Sequence, residues 1–546
     1  MHHLPGAGDA GCSRGGAPHA APMLPAADGG VEGKDAEARD HREHATPALW
    51  VVVWIGAAIG FLVGFTDGPG GAFLPAIGSM LDLDTPFAHI RSRLLDMCDD
   101  TKRDVEIYLV IKPLAAALSA LFTACAGRRL GRRRTMAIGC AVFIIASLTE
   151  AFSQTKAGLY LGRAFNGGAE GLLMCVYVGA VEVAPKHNRG RLAAFDQLGR
   201  GMGVLSQGLL LFGLQSQGRW AWRLYNVFGA YVAGFLLLLL SCGGMADTPA
   251  SLAQRGRLDE AREALQALRN PLYSRETEAE FQALLEECAA SAKEQGRSAL
   301  SRRWLPRTLL AVFLAISYNA LGGVLNKFNM PAMLYRSVFI TSSDWIYLYY
   351  TLLMGGGSLI GAVVLLLWVD SLGRRKLLVY LSLANILIVS ISGSMIVTQA
   401  GFRSLPAMAT VIIGLALLTA THAAGPQGTM WTYISEIQPL ADRSLVFGAA
   451  VCVNELAQAA VEAVLLITSC ERAKKLVTVL VISNILAAGL FWFLLPETAR
   501  RDAAEINAEF DAHWLWGRFT RKPPRQSRQW GAGSGARRRS SSSGVD

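Results

Sequence analysis

Charged residues make up only 17% of the 546-residue chain, against ~25% in an ordinary soluble domain. That scarcity excludes a soluble protein of this size, whose surface could not be covered. Disorder is excluded too, because 52% of the residues are hydrophobic. Cysteine is sparse: nine residues form no CxxC pair, which argues against a zinc site and a secreted disulfide framework. The first 45 residues lack the apolar core of a signal peptide. No P-loop is present, so ATP is not expected to supply energy. Nothing resembles a hydrolase or transferase site, so no enzyme, cofactor or metal is expected.

What is abundant is long apolar sequence. A spanning helix takes ~20 residues. Apolar segments lie near 48–72, 106–127, 134–152, 157–184, 192–215 and 220–243, then near 307–335, 343–369, 376–397, 406–432, 445–468 and 475–495. The expected fold is an all-α membrane protein of twelve transmembrane helices in two six-helix halves. Domains are expected at 1–46 (a disordered cytoplasmic arm), 47–243 (the N-terminal half), 244–306 (a helical cytoplasmic linker), 307–496 (the C-terminal half) and 497–546 (a cytoplasmic helix and a basic, Ser-rich tail). The net charge of +10 sits mostly in loops and tail. It reads as an orientation signal rather than a nucleic-acid footprint. Arg128, Arg129, Arg132, Arg133 and Arg134 follow span two, and Arg374, Arg375 and Lys376 follow span eight. Both termini are therefore expected in the cytoplasm, with the plasma membrane as the location.

The halves repeat a pattern. Gly131-Arg132-Arg133 follows span two, and Asp370-Ser371-Leu372-Gly373-Arg374-Arg375 follows span eight. Glu182 through Arg189 follows span four, and Glu436 followed by Arg443 follows span ten. Repeats of this kind fit a transporter. The charged residues Arg132, Arg133, Glu182, Arg189, Asp370, Arg374, Arg375, Glu436 and Arg443 are read as a cytoplasmic latch that pairs across the halves when the inner side is shut. With Gly162-Arg163, Gln197, Gly425-Pro426, Trp431, Ser435 and Pro496-Glu497-Thr498 in order, the chain resembles the sugar porter family of the major facilitator superfamily over residues 50–510.

Asp67 is a charge inside span one, which costs ~2.5–3.5 kcal/mol on insertion scales and so implies function. By resemblance, Asp67 and Arg163 are a proton-coupling pair, and Gln197, Trp431 and Asn454 are solute ligands. The chain also departs from the family. Span seven lacks the family's paired glutamines, leaving Tyr318 and Asn319 as substitute ligands. Lys327, Glu455 and Glu462 introduce charge as an outer gate or as contacts to a charged solute; for Lys327 and Glu462 the alternative is snorkelling to water near the outer interface or a water-filled vestibule. Glu170 interrupts a glycine-spaced run in span four. Arg128 replaces an aspartate and weakens the N-terminal latch.

These residues describe a proton-coupled symporter of a sugar or polyol whose partners are the solute, protons and the lipid bilayer, with no nucleic acid. The alternatives are an uncoupled sugar carrier, a carrier of a non-sugar solute such as an organic acid, or a non-transporting nutrient sensor.

Overall fold

A computed structural model describes residues 46–67, 102–214, 220–243, 245–293, 301, 303–323, 345–397, 405–467 and 473–520. The expected N-terminal arm, the basic tail beyond 520, the second part of span seven and Lys327 lie outside the described residues.

Among the described residues, twelve helices follow the twelve apolar segments in order. They are α1 (Pro47–Asp67), α2 (Lys102–Leu130), α3 (Arg132–Phe152), α4 (Lys156–Val183), α5 (Arg189–Leu214) and α6 (Ala221–Ser241), then α7 (Leu305–Ala320), α8 (Trp345–Leu372), α9 (Arg374–Val397), α10 (Ala409–Ile437), α11 (Arg443–Ile467) and α12 (Ala473–Leu494). Among the described residues, nine helices are long and apolar enough to cross a membrane, and α7 and part of α12 are shorter apolar helices. The sides of these helices expose large apolar residues such as Leu118, Phe152, Tyr231 and Leu387. Water would penalise such a surface, whereas lipid is a suitable solvent for it. α4 is the most enclosed, with 78% of its apolar window buried.

Contacts within each half set α1 on α5, α2 on α4 and α3 on α6, then α7 on α11 and α9 on α12. Between the halves, α2 packs on α11 and α5 on α8. The α1–α5 seam is close because Gly64 has no side chain. A methyl group there would overlap the backbone of Arg200. That contact holds α5 against the charged end of α1.

The internal repeat is explicit in the geometry. Gly131 and Gly373 both take positive φ, 84° and 90°, which suits glycine before each Arg-Arg pair. Arg132 donates to Glu182, and Arg374 donates to Glu436. Asp247 accepts the Arg132 amide at 2.9 Å, and Glu497 accepts the Arg374 amide at 2.9 Å. Thr248 and Thr498 each donate a hydroxyl at 2.6 Å, to Glu182 and Glu436 respectively. Asp247-Thr248 is thus the N-terminal counterpart of Glu497-Thr498, a match the linear sequence does not advertise.

The linker contributes helices Pro249–Gln254, Leu258–Leu268 and Ser274–Lys293. They bury Leu252, Ala261, Leu265 and Phe281 in a small core. Beyond α12, α13 (Ala503–Ala512) is tied to the start of α7. Arg307 donates to Asn507 and lies 4.5 Å from the Phe510 ring centroid.

The turn after α13 is pH-sensitive. His513 Nδ1 accepts the amides of Leu515 and Trp516 at 3.3 Å. Burial, with a smaller contribution from Arg375, pulls His513 below the usual histidine range, against the raising effects of a backbone hydrogen bond to Phe493 and of the Glu509 charge. The neutral form is therefore favoured by folding. Its contribution is present above the unfolded value of ~6.5 and is lost as pH falls through the lowered folded value. Acidification should loosen this turn first, read as early proteolysis after α13 and altered Trp514 and Trp516 fluorescence. His513→Gln should remove that pH dependence.

Candidate functional site

Two polar zones occupy the interior. The first is a charged cluster in the N-terminal half. Asp67 ends α1, and its Oδ1 lies 2.5 Å from Lys112 Nζ on α2. The same ammonium is 2.9 Å from Glu170 Oε2 on α4. Arg200 on α5 stands 3.8 Å from Asp67 Oδ2 and donates to Asp196 at 3.0 Å. Arg163 lies over the Tyr108 ring, 4.7 Å from its centroid, within electrostatic reach of Glu150 and Asp67. Asp67 and Arg163 thus share a larger cluster, in which Asp67 pairs with Lys112 and Arg200 and Arg163 stacks on Tyr108. Lys112, Asp196 and Arg200 were not singled out from the sequence. All three are charges within apolar segments, the same signal that marked Asp67.

The second zone runs between the halves. Gln197 Nε2 on α5 donates to Gln427 Oε1 on α10 at 3.2 Å. Gln427 lies in a π-type segment, Ala423–Thr429, that contains Pro426. Proline removes an amide donor there, and the Thr429 hydroxyl donates five residues back to Ala424 at 2.7 Å. Such widened turns recur at functional sites. Trp431, one turn on, is buried against Tyr177, Tyr318 and Phe447, with ring centroids 6.5, 6.1 and 5.8 Å away. Tyr318 also meets His422 edge-on at 5.0 Å. Asn319 Nδ2 donates to Asn454 Oδ1 at 3.1 Å, and Asn454 Nδ2 donates to Glu455 at 2.9 Å. The five expected ligands therefore line one polar and aromatic strip, joined by Gln427 and Tyr177. Gln197 Oε1 and Asn319 Oδ1 are buried, and no hydrogen bond satisfies them among the described residues.

Glu462 differs from the snorkelling expectation. It is 3% exposed and accepts from Gln458 at 2.8 Å. It is buried, so it does not reach water. Glu455 is buried as well.

The latch also differs in its partners. The Arg132–Glu182 pair lies within the N-terminal half and the Arg374–Glu436 pair within the C-terminal half. Helix ends in the same half are simply nearer. Asp370 bridges the halves by accepting the amides of Gly190 and Arg191 at 3.1 and 2.8 Å, and Lys186 donates to Asp502 at 2.6 Å. A carboxylate at the first amides of α5 also favours the helix dipole. Arg133 and Arg375 turn outward to carbonyls of Leu240 and Trp492. Arg189 is half-buried and Arg443 buried beside these pairs.

A family profile described as "Sugar (and other) transporter" matches residues 71–510. The chain belongs to that family. Among curated members, it is 29% identical over 496 residues to Sugar transport protein 13 of Arabidopsis thaliana, covering 87% of this chain and 91% of that protein. It is 28% identical over 435 residues to Sugar transport protein MST4 of Oryza sativa subsp. japonica, covering 77% and 82%. Among solved structures, the proton:xylose symporter XylE bound to 6-bromo-6-deoxy-D-glucose aligns with TM-score 0.71 at 18% identity, over 84% of this chain and 98% of that one. The inward-open form of the xylose transporter XylE from E. coli aligns with TM-score 0.58. Membership of this family makes the chain a membrane transporter, and the XylE alignment shows the major facilitator fold.

Proposed function

We propose that the chain is an alternating-access symporter that moves a sugar or polyol across the plasma membrane with protons, with both termini in the cytoplasm. The observation that carries the solute reading is the pair of buried acceptors, Gln197 Oε1 and Asn319 Oδ1. A buried acceptor without a donor is costly. Solute hydroxyl groups are suited to supply one to each. Trp431, Tyr177 and Tyr318 add the aromatic faces that suit a sugar ring. The relatives named as sugar transport proteins, and the structural neighbour named as a proton:xylose symporter, support the same reading. Glu455, a carboxylate bonded to Asn454, opposes the organic-acid alternative because it would repel an anion. Charge in the N-terminal half supplies the proton site, and the Asp370 bridge closes the proposed cytoplasmic end.

The test is a thermal-shift panel of hexoses, pentoses, polyols and organic acids, followed by uptake into proteoliposomes under an imposed pH gradient. A neutral sugar or polyol should raise Tm by binding the native state and accumulate only with the gradient. A shift confined to organic acids would displace the sugar reading. Binding without uptake would favour the sensor. Gln197→Leu should weaken the stabilising solute by about 1 kcal/mol, roughly fivefold, with Tm of the free protein little changed. Unaltered affinity would move the solute away from α5.

A further inference from the structure

We propose that Lys112 and Glu170 form a resident buried ion pair that sets the proton affinity of Asp67 and stays intact when Asp67 takes its proton. The inference deepens the proton-coupled reading, and rests on that reading only for what the proton is used for.

The geometry comes first. Lys112 bridges two carboxylates, Asp67 Oδ1 at 2.5 Å and Glu170 Oε2 at 2.9 Å. The side chains of Lys112, Asp67 and Glu170 are only 5%, 9% and 11% exposed. Glycine places Glu170 there. A methyl on Gly167 would overlap the backbone of Lys112, so α4 reaches α2 at this level only because Gly167 is bare. Glu170 follows three residues later on the same helix face. The acidic interruption of the glycine run is therefore half of an ion pair.

Charge counting gives the consequence. Asp67 stands between two cations, Lys112 and Arg200, and each has a second carboxylate, Glu170 and Asp196. That makes three carboxylates and two cations among the described residues. Glu150 on α3 and Arg163 on α4 lie within electrostatic reach of each other beside these five groups. Tyr108 of α2 and Tyr225 of α6 also face this group and are neutral phenols at ordinary pH. One carboxylate is in excess, and buried uncompensated charge is costly. A single proton balances the cluster.

Position selects the acceptor. Lys112–Glu170 ties α2 to α4, and Arg200–Asp196 lies within α5. Neutralising either acid would leave α1 held by Asp67. Neutralising Asp67 releases α1 from α2 and α5 together, while each cation keeps its other carboxylate. The proton then costs no orphaned cation, unlike a lone aspartate–arginine pair. Glu170 has a second effect: it competes with Asp67 for Lys112 and raises the proton affinity of Asp67. Lys112 lowers it.

Two substitutions should therefore move the same titration in opposite directions. The measurement is infrared difference spectroscopy of the reconstituted full chain, without solute, following the protonated-carboxyl stretching band from acid to alkaline pH. The expected wild-type titration contains one component that disappears in Asp67→Asn. Glu170→Gln should shift that component to lower pH, and Lys112→Met to higher pH. Each shift should be about one pH unit, tenfold in proton affinity. If Lys112→Met does not fold, Glu170→Gln and the charge-retaining Lys112→Arg carry the comparison, the latter staying near wild type. Survival of the component in Asp67→Asn would overturn the proposal, as would unchanged or same-direction midpoints in the two substitutions. Because no solute is used, this failure is separate from failure of the symport reading. Opposite shifts without gradient-driven sugar uptake would retain the ion pair and reject symport.

Discussion

Asp67→Asn should abolish accumulation of the solute against its gradient while leaving exchange across the membrane intact. Asparagine keeps the volume and loses the charge, so it imitates the protonated acid permanently. Lys112 retains Glu170 at 2.9 Å, and Arg200 retains Asp196 at 3.0 Å. No buried cation is orphaned, and the variant should fold. A proton gradient then has no carboxylate to act on, and α1 stays released. In proteoliposomes the accumulation ratio should fall to one, with counterflow near the wild-type rate. Concentrative uptake persisting in this variant would remove Asp67 from the coupling step. Loss of both uptake and counterflow would point instead to a structural role.

Arg374→Met should cost about 3–5 kcal/mol of stability, the scale for removing one partner of a buried ion pair. Arg374 is fully buried and donates to Asp370 and Glu436, each at 2.8 Å. Methionine fills most of the volume but leaves two buried carboxylates without their shared cation. One of them, Asp370, also holds the α5 amides across the halves, so the bridge should weaken together with the fold. The measurement is Tm and denaturant resistance in detergent. The double substitution Arg374→Met with Glu436→Gln should recover part of the loss. A single variant as stable as wild type would show that water already compensates these carboxylates. Arg132→Met, which orphans only Glu182, should cost less.

Much of the fold was legible because lipid imposes a simple rule. Each backbone polar group in a span must bond within its own helix, so long apolar runs read as helices. α2 ends at Leu130 and α8 at Leu372, each just before a glycine and an Arg-Arg pair. The solute strip was legible in part. Gln197, Tyr318, Asn319, Trp431 and Asn454 came from motif positions, whereas Gln427 and Tyr177 did not, because their roles arise from helices in different halves. Lys112, Asp196 and Arg200 carried a readable signal, charge within an apolar run, but nothing in linear order said which carboxylate each would meet.

Composition and spacing by themselves determined a membrane-embedded, twice-repeated helical protein with a charge in its first span, and the motif resemblance supplied the transporter reading. Those properties depend on solvation and on local periodicity, which neighbours in the chain carry. The tertiary structure alone decided the pairings. It set Lys112 between Asp67 and Glu170, kept the Arg–Glu pairs inside their own halves, and let Asp370 bridge the halves. Each depends on how closely two helices approach, down to the missing side chain of one glycine, and a buried charge takes the partner that packing brings within reach.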